Sequence, residues 1–194
     1  MINRRSFIIG LKSIKINTKE KKFLKKFKPW GIILFSRNIK NIFQLKNLIK
    51  DIKYIFKDNK YPILIDQEGG GVSRLNKIID LNIFSQGFFG KIYNKNIKLF
   101  DHYYKAYIYA VCDILNEVGI NINTVPVLDI RRKISEKIVG DRSFSSDPET
   151  VSKLGRLCIN LHKIKKVATV IKHIPGHGLT KDDSHISLPI IKGN

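Results

Sequence analysis

The sequence predicts an α/β architecture of the (β/α)-barrel type, built on a parallel sheet. Three observations carry that expectation. Apolar strand-like runs alternate with helically periodic segments in the order β-α-β-α-β-α-β-α-β, a pattern that gives parallel strands joined by right-handed crossovers. Charged and polar residues follow the ends of successive runs: Arg37 and Asn38, then Asp66, Glu68 and Arg74, then Asp129 and Arg131, then Lys172 and His173. In a barrel all such ends open onto one face, where active sites sit. The competing open, doubly wound sheet lacks its marks. There is no GxGxxG or P-loop spacing, and Gly69-Gly70-Gly71 follows Asp66 and Glu68, which would repel a phosphate.

Each element has its own signal. Residues 6–11 read as a short strand, and Thr18 is placed to cap a helix running to about Phe27, with Phe23, Leu24 and Phe27 on one side. The continuous apolar run 31–35 suits a strand buried on both faces. Residues 41–56 carry Ile42, Leu45, Leu48, Ile49, Ile52 and Ile55 at helical spacing. A third strand is expected at 61–66, then a glycine loop and a poorly patterned stretch over 75–96. Residues 99–118 read as a helix ended by Gly119. A fourth strand is expected at 123–130, a helix opened by Asp147-Pro148 and running to about Lys163, and a fifth strand at 167–172. A complete eight-stranded barrel takes about 250 residues. The 194 residues are therefore expected to be one domain, residues 1–194, apparently truncated after about its fifth strand.

Composition excludes several classes. Hydrophobic content of 43% with 27% charged residues is that of a globular chain. No run of about 18 apolar residues is present, so no membrane span is expected. The run 6–11 is too short for a secretory signal core, which leaves the cytosol as the default address. Cys112 and Cys158 sit in apolar helical patterns without metal-ligand spacing and read as reduced core residues. The net charge of +20 points by itself to anionic partners. The lysines, however, run along the whole chain on helical faces, and Ile, Asn and Lys are abundant where Arg is scarce. That is the mark of an AT-rich coding sequence, and no nucleic-acid-binding signature accompanies it.

Two segments carry chemistry. Lys172-His173-Ile174-Pro175-Gly176-His177-Gly178 sets three basic side chains beside one Pro and two Gly, which fix a tight loop. Its two histidines stand four apart, but that spacing places them on one face only in a helix, so no metal is inferred. Asp183 precedes His185 by two residues. A carboxylate bonded to an imidazole fixes its tautomer and raises its basicity, giving a general acid/base.

These residues resemble a known family. Leu64-Ile-Asp-Gln-Glu-Gly-Gly70 with Arg74, the run Gly31 to Asn38, Pro126-Val-Leu-Asp129, Gly140-Asp-Arg-Ser-Phe144, and the Lys172–Gly178 segment with Asp183-Ser-His185 are similar to the bacterial family-3 glycoside hydrolases. Among these they match the cytosolic β-N-acetylglucosaminidases of peptidoglycan recycling. The resemblance implies a TIM-type barrel, a terminal β-N-acetylglucosamine on a glycan substrate, a retaining mechanism and no cofactor or metal. It implies that Asp66, Arg74, Arg142, Lys172 and His173 bind the aminosugar, and that His185 is the general acid/base, oriented by Asp183. Gly71 stands where the family has Arg, and Ile174 where it has Phe. The nucleophilic carboxylate is expected beyond Asn194. The alternative is a non-catalytic, sugar-binding remnant of such an enzyme.

Overall fold

The computed structural model describes residues 4–191. Five strands form one parallel sheet in sequential order: β1 (Arg5–Gly10), β2 (Pro29–Leu34), β3 (Ile63–Ile65), β4 (Ile122–Asn123) and β5 (Ala168–Thr169). The crossovers are α1 (Thr18–Phe27), α2 (Ile42–Phe56), the pair α3 (Gln86–Lys95) and α4 (Ile97–Val118), and α5 (Pro148–Ile164). All these helices and strands lie where a parallel α/β chain needs them, with β1 and β5 at the two edges of the sheet.

Helix boundaries follow local chemistry. Asn17, not Thr18, caps α1: its side chain accepts from the Glu20 amide while Glu20 reaches back to the Asn17 amide, a reciprocal capping box. Asn41 caps α2 and Asp147 caps α5, where Pro148 occupies the first turn. Gly119 ends α4 in the left-handed region, φ 91°, where a side chain would be strained.

The core lies between the sheet and these helices. Ile32, Leu34, Ile63 and Ile65 are fully buried against Leu45, Leu48, Ile49 and Ile52 of α2. Farther along the sheet, Ile108, Val111, Cys112 and Leu115 of α4 meet Leu154, Cys158 and Leu161 of α5. Each such aliphatic side chain contributes about 1.5–3 kcal/mol by leaving water. Both cysteines are buried and unbonded, and burial pushes each thiol up to about 12, so they act as apolar filler.

Four expectations are corrected. The stretch 75–96 contains α3, hidden in the sequence by Gly87 and Gly90. These glycines exist for close packing: a Cβ on Gly90 would lie 1.8 Å from the Phe144 carbonyl oxygen. The fourth strand is two residues long, not eight. Pro126 has no N–H to donate. The Val127 N–H and C=O turn instead to the Gln86 side-chain amide, at 3.0 and 2.9 Å. The third and fifth strands are likewise shorter than expected, and one isolated bridge, Val127 to Lys172, continues the β4–β5 pairing toward the C-terminal rim.

Candidate active site

The strand ends converge. Lys172, just past β5, extends its Nζ to Asp66 Oδ1 at 3.1 Å, Glu68 Oε1 at 2.5 Å and Thr124 Oγ1 at 3.3 Å. Asp66 follows β3 and Thr124 follows β4, so this one ammonium gathers three strands. Thr124 also donates to Asp66 Oδ1. Arg74, on the loop after β3, faces Asp66 Oδ2 at 3.8 Å, and its guanidinium lies over the ring of Phe35, the residue after β2.

Glu68 continues the network. Its side chain is 2% exposed, and both oxygens are taken by Arg142 through a fork of two 2.9 Å bonds. A paired planar contact of this kind fixes direction as well as charge. Arg142 Nη2 then reaches His173 Nε2 at 3.3 Å, and His173 Nδ1 lies 2.5 Å from Asp129 Oδ2. The two contacts define the tautomer. Nδ1 carries the proton and donates to Asp129, while Nε2 keeps a lone pair that accepts from Arg142. Asp129 Oδ1 accepts from the His177 and Gly178 amides at 2.6 and 3.2 Å, pinning the glycine-rich loop onto the rim.

Burial is the largest single influence and raises all three carboxyls, but the other effects together outweigh it. The charge of Lys172 and the Thr124 bond hold Asp66 below its ordinary value. The Arg142 bonds and the Lys172 charge do the same for Glu68, and the His173 bond for Asp129. Arg142, which burial lowers, is raised on balance by Glu68. Three carboxylates therefore meet three cations around a His173 ring whose two nitrogens are both engaged.

The Asp183–His185 pair is built differently. His185 Nδ1 is 2.7 Å from Asp183 Oδ1, and the same oxygen accepts from the His185 amide at 2.9 Å. The Ile186 and Ser187 amides close the turn onto the Asp183 carbonyl. The His185 side chain is 87% exposed, with Nδ1 engaged and Nε2 outward. The neighbouring Ser184 lines a cavity of about 270 Å³ shared with His173, Ile174, His177 and Thr180, which places this loop beside the rim.

The model of the glycosyl hydrolase family 3 N-terminal domain matches residues 5–194. The chain belongs to glycosyl hydrolase family 3. The family-3 chain is 34% identical over 163 residues to β-hexosaminidase A of Pseudoalteromonas piscicida, covering 82% of this chain and 27% of that protein. It is 32% identical over 183 residues to the β-hexosaminidase of Hydrogenovibrio crunogenus, covering 94% and 50%. The crystal structure of NagZ from Neisseria gonorrhoeae in complex with N-trifluoroacetyl-D-glucosamine superposes with a TM-score of 0.85 at 30% identity, covering 97% of this chain and 55% of that one. The family-3 chain thus spans about half the length, or less, of the relatives it matches, and its sheet is the corresponding part of a TIM-type barrel.

The fold brings Asp66, Arg74, Arg142, Lys172 and His173 into one network, while Asp183 and His185 form a separate pair in the adjoining loop. Glu68 and Asp129 are the residues whose part the sequence does not reveal. Both stand at strand ends, but their partners lie 74 and 44 positions away. The one available signal for each is its place at the end of an apolar run.

Proposed function

We propose that this family-3 chain is the aminosugar-binding part of a β-N-acetylhexosaminidase. Its substrate is the terminal, non-reducing β-N-acetylglucosamine of peptidoglycan-derived muropeptides, cleaved with retention in cytosolic cell-wall recycling. In this reading residues 1–194 form the N-terminal part of a single catalytic barrel domain. The observation that carries it is the continuous chain of contacts Asp66–Lys172–Glu68–Arg142–His173–Asp129 across three strand ends, flanked by an imidazole whose Nδ1 is held by a carboxylate. The β-hexosaminidase names of the relatives support the same chemistry.

Each side chain has a task that its geometry permits. The Asp66 carboxylate accepts from sugar hydroxyls, and Arg74, Arg142 and Lys172 donate to ring oxygen substituents and the acetamido group. The His173 lone pair at Nε2 accepts a hydroxyl proton when the sugar displaces the 3.3 Å contact from Arg142. His185 protonates the departing glycosidic oxygen as a carboxylate attacks C1, and then takes a proton from the water that hydrolyses the glycosyl-enzyme. Asp183 holds the imidazole so that Nε2 does both steps. In the first step His185 carries protons on both nitrogens and gives the one on Nε2; the neutral imidazole left behind adds no second negative charge beside the attacking carboxylate and takes up the water's proton in the second step.

Asp66, Glu68 and Asp129 are each bound to cations, an imidazole or backbone amides. None of these three stands free to attack C1, and in this reading the nucleophilic carboxylate lies beyond Asn194, as the family resemblance implies. The same fact favours a second reading, in which these 194 residues bind the sugar without cleaving it.

The test is hydrolysis of an unactivated and an aryl N-acetylglucosaminide by a version extended to the relatives' full length. His185→Ala lowers turnover of the unactivated substrate by about 10²–10⁴ and of the aryl substrate by much less, because a good leaving group needs little protonation. Equal losses on both substrates would remove the acid/base role. Turnover by the 194-residue chain would place the nucleophile within it.

A further inference from the structure

The chain's positive charge is unevenly distributed in the fold. Residues 4–60 hold fourteen lysines and three arginines against three acids, a formal +14 of the chain's +20, while the residues that follow hold the other +6. This basic part is the β1–α1–β2–α2 end of the sheet, and it excludes the charge-balanced rim around Asp66, Glu68 and Asp129. Two of its three acids are already engaged. Glu20 is bonded to the Asn17 and Lys12 amides, and Asp58 to Arg4 and the Lys60 amide. The lysines of α1 and the outer side of α2, among them Lys19, Lys21, Lys22, Lys25 and Lys50, are exposed.

Aromatic rings accompany this charge. Phe43, Asn47, Lys50 and Tyr54 follow i, i+4, i+7, i+11 spacing and form one outward stripe of α2. Phe43 is 76% and Tyr54 79% exposed, and the eleven-residue step from one to the other sets them about 16 Å apart along the helix. A core or a groove would cover such side chains. Rings this free stand clear of the helix surface, at the depth where aromatic side chains enter a lipid headgroup layer while lysines meet its phosphates. A base-stacking platform would instead hold its rings along a groove that tracks the strand.

We propose that the outer face of α1 and α2 docks on an anionic phospholipid surface, with Phe43 and Tyr54 inserted and the surrounding lysines on the headgroup phosphates. The strand-end rim opens on another side of the fold, so docking leaves it accessible. The proposal does not depend on the hydrolase reading.

The test is co-sedimentation of the 194-residue protein with vesicles of phosphatidylcholine alone or with about 30% phosphatidylglycerol, in about 0.15 M salt. Screening there limits each lysine's reach to about 8 Å, and each lysine near the surface strengthens binding by about fivefold. The protein binds the anionic vesicles and not the neutral ones. Reversing Lys19, Lys21, Lys22 and Lys50 to Glu weakens binding by about 100-fold or more, while reversing Lys98, Lys105, Lys153 and Lys163 on the other helices weakens it less than about fivefold. The first set puts its new acids mainly in the first turns of α1, where the helix dipole favours them. Phe43→Ser with Tyr54→Ser weakens binding about tenfold without changing charge, an independent check should the reversals disturb folding. Equal losses from the two lysine sets would reduce the effect to net charge and overturn the proposal. Absence of vesicle binding, or tighter binding of a single-stranded RNA than of vesicles at the same salt, would overturn it as well.

Discussion

The strand-end rim and the Asp183–His185 loop both present charged groups next to a histidine, yet they are constructed on opposite plans. On the rim, Lys172 meets Asp66 from 106 positions away and Arg142 meets Glu68 from 74. The groups are largely buried, and nearly every polar atom has a fixed partner. In the loop, His185 meets a carboxylate two positions away, in the open, through a turn that closes on itself. A buried network depends on the whole fold and holds a rigid shape, as a binding site for one sugar ring requires. A local exposed pair keeps its hydrogen bond whatever the rest of the fold does, and suits a group that must protonate a leaving oxygen and then admit water.

That contrast has a direct energetic consequence, and Glu68 is where it is largest. Glu68→Ala leaves Arg142 without its buried counter-charge and Lys172 with Asp66 alone, and loss of one partner of a buried pair costs about 3–5 kcal/mol. Urea unfolding should show that loss. Glu68→Gln, which keeps an acceptor for one fork of Arg142, should lose less. A loss below about 1 kcal/mol would mean that the rim is not the rigid region described.

Acid should separate the buried groups in two stages. The imidazole of His162 lies in the core, held by the Cys158 carbonyl at 2.9 Å and by Asn123 at 3.2 Å. Burial outweighs the Cys158 bond and lowers it from 6.5. With a lowered folded-state pKa, its contribution to stability is fully present above 6.5 and declines as pH falls below that value. Asp66, Glu68 and Asp129 are lowered from 3.8, 4.5 and 3.8. Their contribution is complete above those values and lost as pH falls through the lowered ones. The urea midpoint should therefore decline gently below pH 6.5 and steeply below about 4.5. His162→Gln should flatten the first decline and leave the second. A single decline confined to the lower range in the unaltered protein would contradict this assignment.

The loop should hardly respond. His185→Ala removes an exposed ring whose only side-chain partner among the described residues is Asp183, so unfolding free energy should change by less than about 0.5 kcal/mol, even where turnover collapses. A destabilisation comparable with that of Glu68→Ala would show His185 to be part of the buried frame.

The two regions also differ in how far the sequence discloses them. Asp183 and His185 are legible because both partners sit in one short segment. Asp66, Lys172 and His173 are legible as polar residues that terminate apolar runs, and the parallel alternation predicts that such ends meet. What joins them is not legible. Glu68 has the appearance of one more loop acid until the fold brings Arg142 to it. Among the elements, α2 and α4 declare themselves by periodicity, whereas α3 is concealed by Gly87 and Gly90, which are present for close contact with residues 141 and 144. The fourth strand is overestimated because an apolar run says nothing of where its amides go, and those of Val127 go to Gln86.

In the proposed function the rim is a preformed site for one aminosugar ring. A crystal structure of the protein with N-acetylglucosamine tests it most directly. The ring should sit on Asp66, Lys172, Arg142 and His173, with Glu68 and Asp129 still holding their present partners and the rim side chains displaced by less than about 1 Å. A sugar bound elsewhere, or bound only after the Glu68–Arg142 fork has opened, would contradict it.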